Sequence, residues 1–172
     1  DNWIIGGIPK EGSLFNVIRG VVPTVRAVHF ALSGCCRFNC YISIDKRVDG
    51  ETKQAALAAL GACDFVKNVI VVDADIDVFN EREVMWAVAT RVQADRDVDI
   101  IKDVKGNSLD PSQQDDIMTA KMIIDATKPA RRPFPSRVEV PKEALDAVRL
   151  HEYIPPEILE RWSPPPELGG RA

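Results

Sequence analysis

An α/β fold built on a mixed β-sheet is predicted by three features of this 172-residue sequence. Val69-Ile70-Val71-Val72 is an unbroken β-branched run, which suits a strand covered on both faces as in a parallel sheet. Asp73, Asp75 and Asp77 follow at alternate positions, and Asn80-Glu81-Arg82-Glu83 then reads as a capping-box-like helix start, with Val84, Ala87, Val88 and Val92 forming an apolar stripe that Met85 and Ala89 widen. Upstream, Val28, Phe30 and Leu32 alternate, as do Cys40, Ile42 and Ile44, the pattern of an antiparallel hairpin. The expected architecture is a two-layer mixed β-sheet with packed helices, followed by a Pro-rich tail. The acidic turn leaves the carboxyl end of its strand, where open α/β sheets place ligands.

Taken in order, residues 1–10 contain Gly6-Gly7 and Pro9 and read as an entering linker. Ser13 is placed to cap a helix with Leu14, Val17, Ile18 and Val21 on its stripe, and Pro23 ends it. The hairpin spans Val25–Leu32 and Cys40–Ile44, joined through Ser33–Phe38. Asp49-Gly50 then opens a helix whose Ala56, Ala59, Leu60 and Cys63 suit close packing on a sheet. After the central strand and helix, a strand is predicted from Val98 to about Val104. Residues 106–118 have turn character, and Lys121–Ala126 reads as the last strand. The domain is therefore placed at 1–128 and the tail at 129–172. Pro129, Pro133, Pro135 and Pro141 leave the tail room only for short helices, at Lys142–Leu150 and Pro156–Trp162, before a free end at Pro164-Pro165-Pro166 and Gly169-Gly170.

The apolar share of 45% and charged share of 28% are those of an ordinary globular protein. A net charge of −4 gives no reason to expect a nucleic-acid or membrane-surface partner. No apolar run is long enough to cross a bilayer, and no signal peptide is visible. The four cysteines do not make a dense disulfide framework, so reduced thiols and a cytoplasmic location are expected. The chain begins at Asp1 rather than Met, which suggests a piece of a longer polypeptide.

Several constellations could carry chemistry, and each fails a specific requirement. Asp73, Asp75 and Asp77 match the opening of a calcium loop, but Val78 and Val84 stand where that loop needs Gly and Glu. Carboxylates that cap backbone N–H groups and pair with Arg82 or Arg91 are the simpler reading. His29 with Cys35, Cys36 and Cys40 lacks the second downstream ligand pair of a structural zinc site. No Gly-rich phosphate loop follows a strand, no Ser-His-Asp set is present, and the first strand lacks the paired acidic group of a receiver domain. Residue chemistry alone thus describes an α/β domain without a self-sufficient catalytic set.

The sequence resembles the carboxyl-terminal domain of the UbiD family of decarboxylases over about residues 8–130. The matching stretches are Val69–Asp73 with Asp75–Val78, then Val84–Arg91, Asp95–Asp97, Leu109-Asp110-Pro111-Ser112, and Lys121 with Ile124–Thr127, in the same order and spacing. The resemblance implies a carboxy-lyase acting non-oxidatively on aromatic, heteroaromatic or α,β-unsaturated acids. It would use prenylated FMN with a divalent metal and potassium. The family's Glu–Arg–carboxylate set and its flavin and metal ligands lie in amino-terminal and central regions that this chain lacks. No catalytic, cofactor or metal residue is therefore assigned here, and the fragment alone is expected to be inactive. The family domain also implies two roles, subunit assembly and closure over the flavin domain of the same polypeptide, so the partners implied are at least a second copy, that flavin domain and a small carboxylic acid.

Two stretches would line the substrate pocket. Phe79 lies in the acidic turn, and Ser108 and Leu109 lie in the loop after Gly106, with Leu109 matching the family's apolar residue over the substrate. The competing reading is that Phe79 and Leu109 are ordinary core side chains. Gly106 is expected to lend the loop backbone freedom, and without its flavin domain the loop is expected to be mobile or held by a neighbour. A standalone assembly module that kept the fold and lost the chemistry is the alternative function.

Overall fold

The structure, a computed structural model, describes residues 2–113, 115–138 and 140–161. Two compact units divide the chain, Asp1–Pro133 and Phe134–Ala172. The first unit contains α1 (Asn2–Val21), β1 (Val25–Phe30), a 3-10 turn at Leu32–Gly34, β2 (Asn39–Ile44), α2 (Glu51–Ala62), β3 (Asn68–Asp73), α3 (Glu81–Arg91), the single turn α4 (Ala94–Asp97), β4 (Val98–Lys105), a 3-10 turn at Asp115–Ile117 and β5 (Met118–Ala126). The strands form one mixed sheet in the order β1-β2-β3-β5-β4. β2, β3 and β5 run parallel, with Tyr41 opposite Ile70 and Ile70 opposite Ile124. β1 and β4 are antiparallel edge strands.

The side-chain period of two along β3 explains the layers. Val69 and Val71 point to one face, where they meet Leu14 and Ile18 of α1 and Ala55, Ala56 and Ala59 of α2. Ile70 and Val72 point to the other, where Val84 and Ala87 of α3 cover them together with Ile76 and Val78. Val71 and Val72 are fully buried, each burial worth roughly 1.5–3 kcal/mol. The mixed sheet with packed helices is as expected, and α3 on the second face adds a helical layer to the two anticipated.

Both edges are protected. The Phe30 N–H donates to Glu11 Oε1 of α1 at 2.7 Å, which satisfies an edge amide of β1. β4 carries a bulge between Ile101 and Val104, with Asp103 in the left-handed region at φ 57°, flanked by Lys102 and Lys105.

Four local expectations are corrected. Residues 2–10 are not a linker but the first turns of α1, and Gly7 belongs there because a Cβ would sit 3.2 Å from Cys36 Cβ. Ser13 is accordingly inside the helix rather than at its cap, and its hydroxyl donates to the Pro9 carbonyl at 3.1 Å. Leu32 leaves the β1 face, since the strand ends at Phe30 and Leu32 is exposed in the following turn. β5 also begins three residues before the predicted Lys121, because Met118 and Thr119 pair with Lys105 and Val104.

The second unit contains α5 (Lys142–Ala147), α6 (Leu150–Tyr153) and α7 (Pro156–Arg161). Its apolar side chains Val138, Leu145, Val148, Tyr153 and Ile158 are exposed. Trp162 and the Pro and Gly residues beyond it lie outside the described residues.

Candidate functional site

The acidic turn is locked at the carboxyl end of β3. Arg91, at the end of α3, has a side chain only 2% exposed, and it donates to Asp73 Oδ2 at 2.7 Å and to Asp75 Oδ2 at 2.9 Å. Lys128, just past β5, adds its backbone N–H to Asp73 at 2.8 Å and its ammonium to Asp75 at 2.9 Å. One carboxylate pair thus ties β3, α3 and β5 together. Burial pushes the Asp73 carboxyl above its ordinary value, against the pull of the Lys128 N–H and Arg91. Asp75 is more open. Against its own smaller desolvation, hydrogen bonds from Arg91 and Lys128 hold its carboxyl below the ordinary range. The expected pairing with Arg91 is what forms.

Beyond the lock the chain folds back across the sheet. Ile76 and Val78 are buried under α3, while Phe79 is 64% exposed. Asp77 Oδ1 accepts the Phe79 N–H at 3.0 Å, and Glu83 reaches back to the Asp77 N–H at 3.1 Å. Asn80 accepts from Arg82 N at 3.1 Å and caps α3. The reciprocal half of the capping box is therefore displaced three residues back, because Glu83 satisfies the Asp77 N–H rather than that of Asn80. The Phe79 ring lies 5.0 Å from the ring of His29, whose Nδ1 is 2.9 Å from Glu11 Oε1. Beside it, Tyr41 donates its hydroxyl to Glu81 Oε1 at 2.6 Å, and Ser33 donates to the same oxygen. Burial, with the bond to Glu81, pushes the Tyr41 phenol up to about 12.

The loop between β4 and β5 is braced from below. Asp110 is only 5% exposed. Its carboxylate accepts from Lys67 Nζ at 2.9 Å, from the Ser112 N–H at 3.0 Å, from the Ser112 hydroxyl at 2.8 Å and from Thr119 Oγ1 at 3.3 Å. Lys67 also donates to Ser112 Oγ. Against the desolvation that would raise it, hydrogen bonds from Lys67 and Ser112 hold the Asp110 carboxyl down at about 2. Asn107 accepts the Leu109 N–H at 3.1 Å and donates to Asp64 at 3.1 Å. Gln113 donates to the Ser108 carbonyl at 3.2 Å. Gly106 is required for a close approach rather than for freedom, since a Cβ would lie 2.9 Å from Thr119 Cγ2. The loop expected to be mobile or held by a neighbour has its own anchors.

Leu109 is 53% exposed at the tip of this loop, with Ser108 beside it also exposed. Phe79 is at the same end of the sheet, the amino end of β3, but it lies against β1 whereas the loop leaves β4 and β5. That is about three strand spacings, roughly 15 Å. Ser108 and Leu109 are therefore brought together, and Phe79 stands apart from them. Sequence reasoning missed Lys67, Tyr41 and Glu81. Lys67 gave no signal, because its partner lies 43 residues away. The Asp110-Pro111-Ser112 turn was the only visible hint, an Asp able to bond the amide two residues on.

Residues 3–126 match the family described as 3-octaprenyl-4-hydroxybenzoate carboxy-lyase C-terminal domain. The anhydromevalonate phosphate decarboxylase of Methanothermobacter thermautotrophicus is 40% identical over 129 residues, which is 75% of this chain and 30% of that protein. The enzyme of the same name from Methanocaldococcus jannaschii is 43% identical over 70% of this chain and 29% of its own length. Among solved structures, the UbiD-class enzyme HmfF from Pelotomaculum thermopropionicum in complex with FMN superposes with a TM-score of 0.80 at 45% identity, covering 89% of this chain and 34% of that one. This chain spans about a third or less of the length of each of these relatives.

Proposed function

The chain belongs to the UbiD carboxy-lyase family as its carboxyl-terminal domain, and from that premise we propose that it closes the active site and builds subunit contacts in a longer, cytoplasmic decarboxylase. The substrate class is an aromatic, heteroaromatic or α,β-unsaturated carboxylic acid that loses carbon dioxide without net oxidation. The observation that carries the closing role is the loop of Asn107–Ser112, which holds an apolar side chain outward on a polar, hydrogen-bonded base. Closing such a surface over a substrate excludes water from it. Ser108 lies beside Leu109 in that surface, and Phe79 offers a second exposed apolar group from a capped turn.

The cofactor of the whole protein in this reading is prenylated FMN, with a divalent metal and potassium. The described residues of this chain offer the metal no seat. Among the described residues no three His, Cys, Asp or Glu side chains gather to hold a metal ion. Of the carboxylates of the acidic turn, Asp73 and Asp75 are occupied by Arg91 and Lys128, and Asp77 accepts the Phe79 N–H. The holding groups belong to the remainder of the polypeptide.

The assembly role is supported by α1, which exposes Ile4, Ile5, Ile8, Val17 and Val21. Exposed aliphatics near the start of the helix (Ile4, Ile5, Ile8) and near its end (Val17, Val21) are suited to covered contacts, with a second copy or with the flavin-binding domain. Among the described residues, no helix is long and apolar enough to cross a membrane.

The test compares two preparations. The longer polypeptide is expected to carry visible flavin absorbance and to release carbon dioxide from an unsaturated acid, and the 172-residue chain is expected to do neither. Stoichiometric flavin on the 172-residue chain would overturn the assignment of cofactor binding to the remainder. A longer polypeptide that binds flavin and shows no decarboxylation would favour an assembly module instead.

A further inference from the structure

The turn at Leu109-Asp110 is inverted with respect to polarity. Its apolar residue is 53% exposed, and the carboxylate next to it is 5% exposed. Left to hydrophobicity alone, the leucine would turn in and the aspartate out, since burying an unpaired carboxylate is costly. Something must hold the turn the other way round.

We infer that Lys67 is the latch that sets this loop, acting as a positioning residue for Leu109 through Asp110. Lys67 sits immediately before β3, with its backbone fixed to the sheet. Its N–H donates to the Phe38 carbonyl at 2.9 Å, and its own carbonyl accepts from Met122 N at 2.9 Å. From that fixed point the ammonium meets Asp110 at 2.9 Å and also reaches Ser112. It brings a positive charge to Asp110, whereas the Ser112 N–H and hydroxyl and the Thr119 hydroxyl on that carboxylate are neutral. Those neutral bonds shape the turn within itself, and Thr119 and the Asn107–Asp64 bond help to seat it. Lys67 supplies the counter-charge that lets Asp110 stay buried, and a charged hydrogen bond is roughly twice as strong as a neutral one. The buried carboxylate holds down the residue next to Leu109, so the leucine is displayed. The importance of that display for chemistry rests on the proposed pocket role of Leu109; the latch itself does not.

The experiment is Lys67→Met in the longer polypeptide, which keeps the side-chain length and removes the charge, with Lys67→Arg as the conservative partner. Amide exchange at Leu109 and Ser112 should rise by about tenfold or more, the loss of one charged hydrogen bond. Exchange at Val72 and Ala87, on the far side of β3, should not change. Visible flavin absorbance should stay as it was, and kcat/KM should fall, with partial recovery in Lys67→Arg. Unchanged exchange in the loop, or a uniform rise across the whole sheet, would overturn the latch whatever happens to activity. A local rise in exchange with unaltered decarboxylation would leave the latch standing and refute the pocket role of Leu109 instead.

Discussion

Replacing Arg91 with Met is expected to cost about 3 kcal/mol at neutral pH, most of it from Asp73. The guanidinium side chain is 2% exposed and sits between Asp73, 14% exposed, and Asp75, 48% exposed. Removing one partner of a buried ion pair costs about 3–5 kcal/mol, because the other charge stays buried. The Asp75 half of the pair is close to a surface bridge, worth about 0–1 kcal/mol, and Lys128 still serves it. The backbone N–H of Lys128 also remains on Asp73, which places the total at the lower end of the buried range. Methionine keeps the unbranched stem and its packing beside Trp86, so little of the loss comes from a cavity. For a unit of Asp1–Pro133, this corresponds to a fall in melting temperature of about 10 °C.

Burial already raises the Asp73 carboxyl in the folded protein, so the folded state binds more protons than the unfolded state just above the ordinary carboxylate pKa. Stability from this group therefore falls as pH rises through that window. Without Arg91 the folded value moves further up and the window widens. The deficit of Arg91→Met should be largest at pH 7 and should shrink on acidification toward pH 5. Circular dichroism melts of both proteins at the two pH values measure it. A melting temperature within about 1 °C of the parent at pH 7, or a deficit that grows on acidification, would refute the reasoning.

Three further outcomes are expected. Lys121 is 2% exposed and its ammonium donates to the carbonyls of Leu60, Cys63 and Asp64 at the end of α2, each at 3.4 Å; Lys121→Met should cost about 1.5–3 kcal/mol by urea denaturation. Desolvation lowers the Lys121 ammonium below its ordinary value, so the unfolded state holds more protons in alkali, and the parent should gain stability as pH rises toward 10 while the variant does not. Gly106→Ala should cost about 1–3 kcal/mol through the clash with Thr119 Cγ2, and adding Thr119→Ser, which removes that methyl, should recover part of it. Tyr41→Phe should lower stability by about 1 kcal/mol through loss of its bond to Glu81, and in the parent the phenolate absorbance of this tyrosine should emerge only near pH 12.

The parts of the fold legible in the sequence are those set by local pattern. β3 was visible because both of its faces are buried and every residue from Val69 to Val72 had to be apolar. α3 was visible because Asn80 caps it locally. The start of α1 was hidden by Gly6-Gly7 and Pro9, residues that usually break helices. Its reason for being helical lies in tertiary packing of Gly7 on Cys36, 29 residues away in the chain. The candidate site was legible only in its apolar tip. Leu109 stands out as a large aliphatic among Asn107, Ser108 and Asp110, but the direction it faces is decided by Lys67, Thr119 and Asp64, none of which is adjacent. Side-chain partners at long sequence separation leave no periodicity, so no reading of local pattern could have found them.

The central claim is that this domain completes a substrate pocket through its β4–β5 loop, and Leu109→Ala in the longer polypeptide tests it most directly. Leu109 is 53% exposed in this domain, so truncating it should leave the melting temperature within about 2 °C of the parent. The account predicts a fall in kcat/KM of about tenfold or more, as expected when a side chain that covers the reacting substrate is removed, with flavin absorbance unchanged. Full decarboxylation by the variant, or a loss of stability of about 2–5 kcal/mol typical of a truncated core leucine with activity per folded enzyme intact, would contradict it.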